Sequence, residues 1–233
     1  MVTPRLLGVT ERMEQLGLET SELRLALETL ARVNRRFGAT RLVLRHLAAL
    51  CDGSPTAVSI LDVGTGYADI PRAVARWARR RGRPVRITAM DRHAGTLALA
   101  GPACADYPEI RVRQGDALSL PFPAQSFDVV LASQILHHME GADAVQLLRE
   151  LARVATQAVL VHDLRRGAWP QLVTWAVLRL VSRSSVIRHD GPMSIRRGYV
   201  PAELLDLARE AGWRSPRLTR HAFFRLALLE VAP

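Results

Sequence analysis

Ser59-Ile60-Leu61-Asp62-Val63-Gly64-Thr65-Gly66-Tyr67-Ala68-Asp69 is the stretch around which the chain is organised. An apolar run of strand type ends in the acidic Asp62, passes through a Gly-x-Gly turn and enters a helical pattern near Pro71. Gly64 and Gly66 allow positive φ and let a ligand approach the backbone with no Cβ in the way. The helix that follows presents its first, unpaired N–H groups to that ligand. A Gly-x-Gly turn after a strand also opens dinucleotide sites, but here Ala68 stands just before Asp69, where a third glycine would favour that reading.

Outward from this turn, strand and helix patterns alternate. Strands are expected near 57–62, 85–89, 108–112, 127–132 and 158–161, with helices near 70–81, 94–100 and 141–153. A helix over 201–211 begins at Pro201 and ends at Gly212, and two last strands, 214–219 and 223–231, have no helix between them. Strands separated by helices imply a parallel sheet with right-handed crossovers, whereas the closing pair must be a hairpin that makes one strand antiparallel. In such a sheet ligands lie over the carboxyl ends of the strands. Asp62, Asp91, Asp116, Ser133 and Asp163 each fall at or just past such an end. Asp91 lies 25 residues beyond Gly66, a suitable distance for a carboxylate that accepts from two ribose hydroxyls. Asp116 is placed to accept from an adenine amine, with the amide of Ala117 beside it as a donor to the ring.

These residues resemble the class I S-adenosylmethionine-dependent methyltransferases over about 57–231. The matching motifs are Leu61-Asp62-Val63-Gly64-Thr65-Gly66, Asp91, and Gln114-Gly115-Asp116-Ala117 with Leu120-Pro121-Phe122. Phe127-Asp128-Val129-Val130 leading into Ile135-Leu136-His137-His138 completes the set. The resemblance implies a Rossmann-like α/β fold: a seven-stranded, mostly parallel sheet with an antiparallel last strand and helices on both faces. It implies S-adenosyl-L-methionine as cofactor and S-adenosyl-L-homocysteine as product. Asp62 would sit near the methionine moiety, Gly64, Thr65 and Gly66 would let it pass, and Asp91 with Arg92 would hold the ribose. Asp116 and Ala117 would hold the adenine, and Ser133 with Gln134 would line the pocket. The loop 120–123 and the His-His element look most like small-molecule enzymes of quinone biosynthesis and secondary metabolism.

The 233 residues, 48% of them hydrophobic, suffice for one substantial core. Residues 1–52 read as a helical cap, with helices over 21–37 and Ala39–Leu50, and the turn cluster Asp52-Gly53-Ser54-Pro55 divides it from a domain over 53–233. Within that domain, about 165–200 reads as a lid-like insertion. All 32 basic residues are arginines, and their spread along the chain reads as a solvated surface rather than as a nucleic-acid patch. Cys51 and Cys104 lack a paired spacing, so they read as thiols of a reducing compartment. The N-terminus lacks an apolar signal core and the longest apolar stretch, 168–181, is too short to span a bilayer, so a cytoplasmic protein is expected.

Methyl transfer from a sulfonium needs alignment and exclusion of water. A hydroxyl acceptor must also lose a proton, and histidine suits that role. His138, His189 and Asp163 are the candidate catalytic residues, with His162 beside Asp163 also at a strand end and His221 read as structural. His137, Trp175, Arg196 and Tyr199 are candidates for the acceptor site. The segment 187–199, with Arg188-His189-Asp190-Gly191-Pro192, reads as a loop or an acceptor-facing lid. No metal site is expected, since the His and Asp candidates lack a ligand spacing. The expected reaction is O-methylation of a phenolic or hydroxylated aromatic, polyketide-like small molecule. C-methylation of a quinone or aromatic ring, an RNA methyltransferase and an inactive cofactor-binding protein are the alternatives. Nucleic acid is disfavoured as a partner, and a homodimer is left open.

Overall fold

The computed structural model describes residues 3–15, 18–50 and 57–231. Among these, β1 (Val58–Val63), β2 (Val85–Asp91), β3 (Ile110–Gln114), β4 (Phe127–Ser133), β5 (Ala155–Leu164), β6 (Arg217–His221) and β7 (Arg225–Val231) form one sheet. Their order is β3-β2-β1-β4-β5-β7-β6. The first five strands pair in parallel, and β7 runs antiparallel between β5 and β6. The apolar strands β1 and β4 lie at the centre, where helices cover both faces. Arginine-rich β3 and β6 take the edges, where charge protects unpaired backbone. The closing hairpin and its antiparallel strand are as the sequence pattern predicts.

The helices are α1 (Thr20–Arg36), α2 (Ala39–Leu50), α3 (Asp69–Arg80), α4 (Ala94–Ala103), α5 (Ala142–Val154), α6 (Ala168–Val181), α7 (Ser185–Arg197) and α8 (Pro201–Glu210). Because successive strand residues point to opposite faces, Ile60, Val129 and Leu131 join Trp77 of α3 and Leu47 of α2 in one core. Leu61, Val63 and Val130 enter a second core with Leu147 and Leu148 of α5 and Leu204 of α8. The chain moves outward from β1 through β2 to β3 and then returns to β4. The switch between β1 and β4 opens a crevice over their carboxyl ends.

Two expectations need correction. Residues 3–11 are not helical: Pro4 and Gly8 interrupt the pattern, and the segment is tied down by tertiary bonds instead. The Arg5 guanidinium donates from Nε to the Arg197 carbonyl at 2.7 Å and from Nη2 to the Met139 carbonyl at 2.7 Å, and it lies 3.9 Å above the Tyr199 ring. The segment 187–199 is not a loop either, because most of it is α7, with Gly191 and Pro192 inside the helix. Ser184 caps α7 by accepting from the Ile187 N–H. Gly191 lets α7 pack closely on α6, since a Cβ there would displace the Leu178 Cδ1 methyl. Cys51 and the turn 52–55 lie outside the described residues, while Cys104 is buried and unpaired.

Gly198 ends α7 where a Cβ would meet the Leu164 carbonyl oxygen, a backbone atom, at 2.5 Å. Gly198→Ala is expected to cost about 1–3 kcal/mol through overpacking, read as a lower urea midpoint with unchanged slope.

Candidate active site

The turn after β1 forms the floor of the site. Gly64 and Gly66 have φ of +70° and +54°. A Cβ on Gly64 would meet Ile135 Cδ1 at 2.6 Å, whereas the space beside Gly66 is open. The Gly66 N–H donates to Asp91 Oδ2 at 2.9 Å, and the His93 N–H donates to Oδ1 at 3.0 Å. Two backbone amides thus aim the Asp91 carboxylate across the turn, and both oxygens keep a lone pair. On the far side, Gln134 ends β4 at φ +58° and donates to Asn34 Oδ1 at 2.7 Å, and Asn34 donates to Asp69 at 3.2 Å. This chain of bonds makes α1 one wall of the site. The cavity enclosed is about 810 Å³, at the upper end of ligand pockets.

At one end of the cavity the turn after β4 meets the N-terminal segment. His137 is buried and its Nδ1 is bonded to Asp163 Oδ1 at 2.7 Å. Asp163 also accepts from the backbone N–H of His137 at 2.9 Å and of Leu164 at 2.6 Å. Burial would raise this carboxyl, but the His137 charge, its hydrogen bond and the two amides outweigh burial and bring it down to about 2. With the Asp163 carboxylate accepting at Nδ1, Nε2 is left as the unshared nitrogen of the ring. Nε2 lies 3.7 Å from Glu11 Oε1. Burial holds the Glu11 carboxyl above its ordinary range, and the Ser194 hydroxyl donates to it at 2.8 Å. The His138 ring packs on His137, with centroids 4.0 Å apart, and pairs through Nδ1 with Glu14. For Glu14, burial again works upward, but His138 and Arg197 bring the carboxyl down to about 2. Ligand atoms of Glu11, His137 and His138 all lie within 4.8 Å of one another, a grouping that can hold a metal ion. The Arg197 guanidinium, 3.5 Å from Glu11 and 3.3 Å from Glu14, already brings positive charge to that corner.

The family described as "Methyltransferase domain" matches residues 60–158. The demethylmenaquinone methyltransferase of Roseiflexus castenholzii is 30% identical over 173 residues, 68% of this chain and 69% of that protein. The chain belongs to the class I S-adenosylmethionine-dependent methyltransferases. The 2-phytyl-1,4-naphtoquinone methyltransferase of Thermosynechococcus vestitus is 36% identical over 100 residues, which are 43% of this chain and 42% of that relative. The match thus spans less than half of that relative's length. In fold, a methyltransferase of Aquifex aeolicus superposes with TM-score 0.66 at 16% identity, over 92% of this chain and 98% of that one.

The methyltransferase's cofactor is S-adenosylmethionine, and the cavity suits it. Asp62 Oδ1, Thr65 Oγ1 and Ser133 Oγ are buried with no hydrogen-bond partner, and all three residues line the cavity. Buried polar atoms are rarely left unpaired, so this wall is built for a polar ligand. Burial, with the charges of Asp69 and Asp91, lifts the Asp62 carboxyl to about 7. A cationic ligand would relieve that cost. Asp116 spends one oxygen on the Leu118 N–H at 2.9 Å. Asp62, Gly64, Thr65, Gly66, Asp91, Arg92, Asp116, Ala117, Ser133 and Gln134 all line the cavity.

The methyltransferase places the other candidates less uniformly. His137 and His138 are in the lining, whereas Asp163 stands behind His137. His189 is paired with Asp190 at 2.8 Å, and it, Trp175, Arg196 and Tyr199 are outside the lining. The Tyr199 hydroxyl donates to the Met139 carbonyl at 2.7 Å. His162 is fully buried, and burial, with the neighbouring Arg225 charge, pushes it down to about 3. It is therefore neutral, and it is not among the residues that line the cavity.

Sequence reasoning missed Glu11, Glu14, Phe223 and Phe224, whereas Arg197, which it offered beside Arg196 as a group for an anionic acceptor, does line the cavity. The two glutamates carry no local signature, because their neighbours come from 120 to 190 positions away in the chain. The two phenylalanines form the β6–β7 turn with φ of +57° and +58°, where asparagine and glycine are usual. Both line the cavity, and Phe223 packs edge-on against Phe37 at 5.3 Å. An aromatic pair lacking the usual turn residues was the one visible signal.

Proposed function

We propose that this methyltransferase transfers a methyl group to a hydroxyl of an aromatic small molecule, with His137 as the general base. The observation that carries this reading is the buried Asp163–His137 pair in the cavity wall, whose Nε2 is left unshared 3.7 Å from Glu11. The bound cofactor supplies an activated methyl group on a sulfonium. Asp62 would hold its ammonium end, Asp91 its ribose and Asp116 its adenine. His137 Nε2 accepts the hydroxyl proton as the acceptor's oxygen becomes the nucleophile, and Asp163 stabilises the resulting imidazolium. Phe223, Phe224, Val173 and Val177 provide apolar wall for an aromatic ring.

The quinone methyltransferases among the relatives support a second reading, C-methylation of a hydroquinone-like ring. The same base would serve, since removing a ring hydroxyl proton makes the adjacent carbon nucleophilic. Incubation with phenols, resorcinols and hydroquinones, followed by NMR of the methylated product, separates the two by the atom that carries the new methyl. Turnover that is lost with a chelator and restored by a divalent metal would instead assign Glu11, His137 and His138 to a cation.

Asp62 makes cofactor binding depend on pH. The free carboxyl near 7 must lose its proton before it can pair with an ammonium, so affinity is present above that pH and lost below it. Titration calorimetry is expected to show roughly tenfold weaker S-adenosylmethionine binding at pH 6 than at pH 8. In Asp62→Asn binding should be weaker and nearly independent of pH over that interval; an unchanged slope would remove Asp62 from the contact.

A further inference from the structure

We propose that the outer face of α6 seats the protein on an anionic lipid bilayer. α6 is apolar on both sides. At 100° per residue, Val173, Thr174, Val177 and Leu178 fall on the side that lines the cavity. Trp169, Leu172, Trp175 and Leu180 fall on the other side and are 66%, 53%, 44% and 86% exposed. Isolated exposed apolar residues are ordinary, but two tryptophans and two leucines on one helical face form a patch that calls for a partner.

The charge around the patch points to a bilayer. Residues 164–202 contain seven arginines and a single acidic residue, Asp190. Asp190 is buried and accepts from the backbone N–H groups of Arg12 and Met13. Arg179, Arg183 and Arg188 are exposed. The Arg179 guanidinium lies 4.7 Å from the Trp175 ring, so cation and apolar surface are presented together. A second copy docked through the same face would bring an equally basic surface against these arginines. Phosphate headgroups meet them with opposite charge, while the indoles occupy the boundary between headgroup and acyl chain.

With 14 residues the helix is about 21 Å long. It is thus short of the roughly 20 residues needed to cross a bilayer, and it lies along the surface. The opposite side of this helix roofs the cavity, so docking would bring the site to within one helix of anything dissolved in the membrane. The inference does not depend on the identity of the acceptor or of the base.

Flotation of the full chain with phosphatidylcholine vesicles, with and without phosphatidylglycerol, tests this. Binding is expected only with the anionic lipid and should weaken as salt rises. Trp169→Ala/Leu180→Ala should weaken it at least tenfold by removing about two buried side chains' worth of apolar area. Arg179→Glu/Arg183→Glu leaves the apolar face intact and should also weaken it at least about tenfold, which guards against a misfolded first variant. Failure of the wild type to float with anionic vesicles would overturn the proposal, as would flotation of both variants at the wild-type level. A wild-type dimer that ignores lipid and becomes monomeric in Trp169→Ala/Leu180→Ala would assign the face to a second copy instead.

Discussion

His137→Ala is expected to lower kcat roughly 100- to 10,000-fold, the range typical of a lost general base, with S-adenosylmethionine binding little changed. The residue lines the cavity, and its Nδ1 is committed to Asp163, which leaves Nε2 as its unshared nitrogen. Removing the imidazole leaves a hydroxyl acceptor to lose its proton to solvent. The remaining activity should therefore climb with pH until the acceptor itself ionises, a dependence that a packing defect would not produce. Asp163→Asn should fall in the same direction, because an amide can donate to Nδ1 and turn the wrong tautomer toward the acceptor. That effect should be confined to kcat and its pH profile, as befits a residue that positions the base and does not touch substrate. Wild-type kcat in His137→Ala would end the assignment of His137 as the base, whatever acceptor is used.

Asp91→Ala is expected to abolish the rise in melting temperature that S-adenosylmethionine and S-adenosylhomocysteine produce in the wild type. Hydrogen bonds to a charged acceptor contribute about 1.5–3 kcal/mol each, so losing two ribose hydroxyls amounts to about 3–6 kcal/mol. Converted to affinity, that is roughly a 100- to 10,000-fold loss. The variant also releases the N–H groups of Gly66 and His93, which the carboxylate holds at 2.9 and 3.0 Å. Some loss of stability without ligand is therefore expected, and the decisive quantity is the difference between melting with and without cofactor. A preserved cofactor shift would show that the carboxylate orders the turn and does not hold the ribose. NADH should protect neither protein.

The fold was legible because its signals are local. Alternation between apolar runs and 3.6-residue periodicity fixes strand against helix, and Gly-x-Gly after Asp62 marks one strand end from which the others can be counted. The placement of Asp91, Asp116 and Ser133 along one cavity follows from being at strand ends in a parallel sheet. Where local signals conflicted, the reading failed. Gly191 and Pro192 suggest a loop, yet tertiary packing on Leu178 holds that stretch within α7. Residues 3–11 gave no such signal, because their bonds run to α7 and to the turn after β4.

By itself, then, the amino-acid sequence determined the alternation of strands and helices and the closing hairpin, which depend on periodicity and on short spacings within one crossover unit. The cofactor and the residues expected around it were implied by the resemblance of those motifs to a known family, and the order of strands came from the tertiary structure. Only the tertiary structure decided the catalytic corner. It buried Asp163 behind His137, brought Glu11 within 3.7 Å of that ring and left His189 outside the lining. Such contacts join residues 26 and 126 positions apart, and no pattern along the chain records which of several histidines a folded carboxylate will meet.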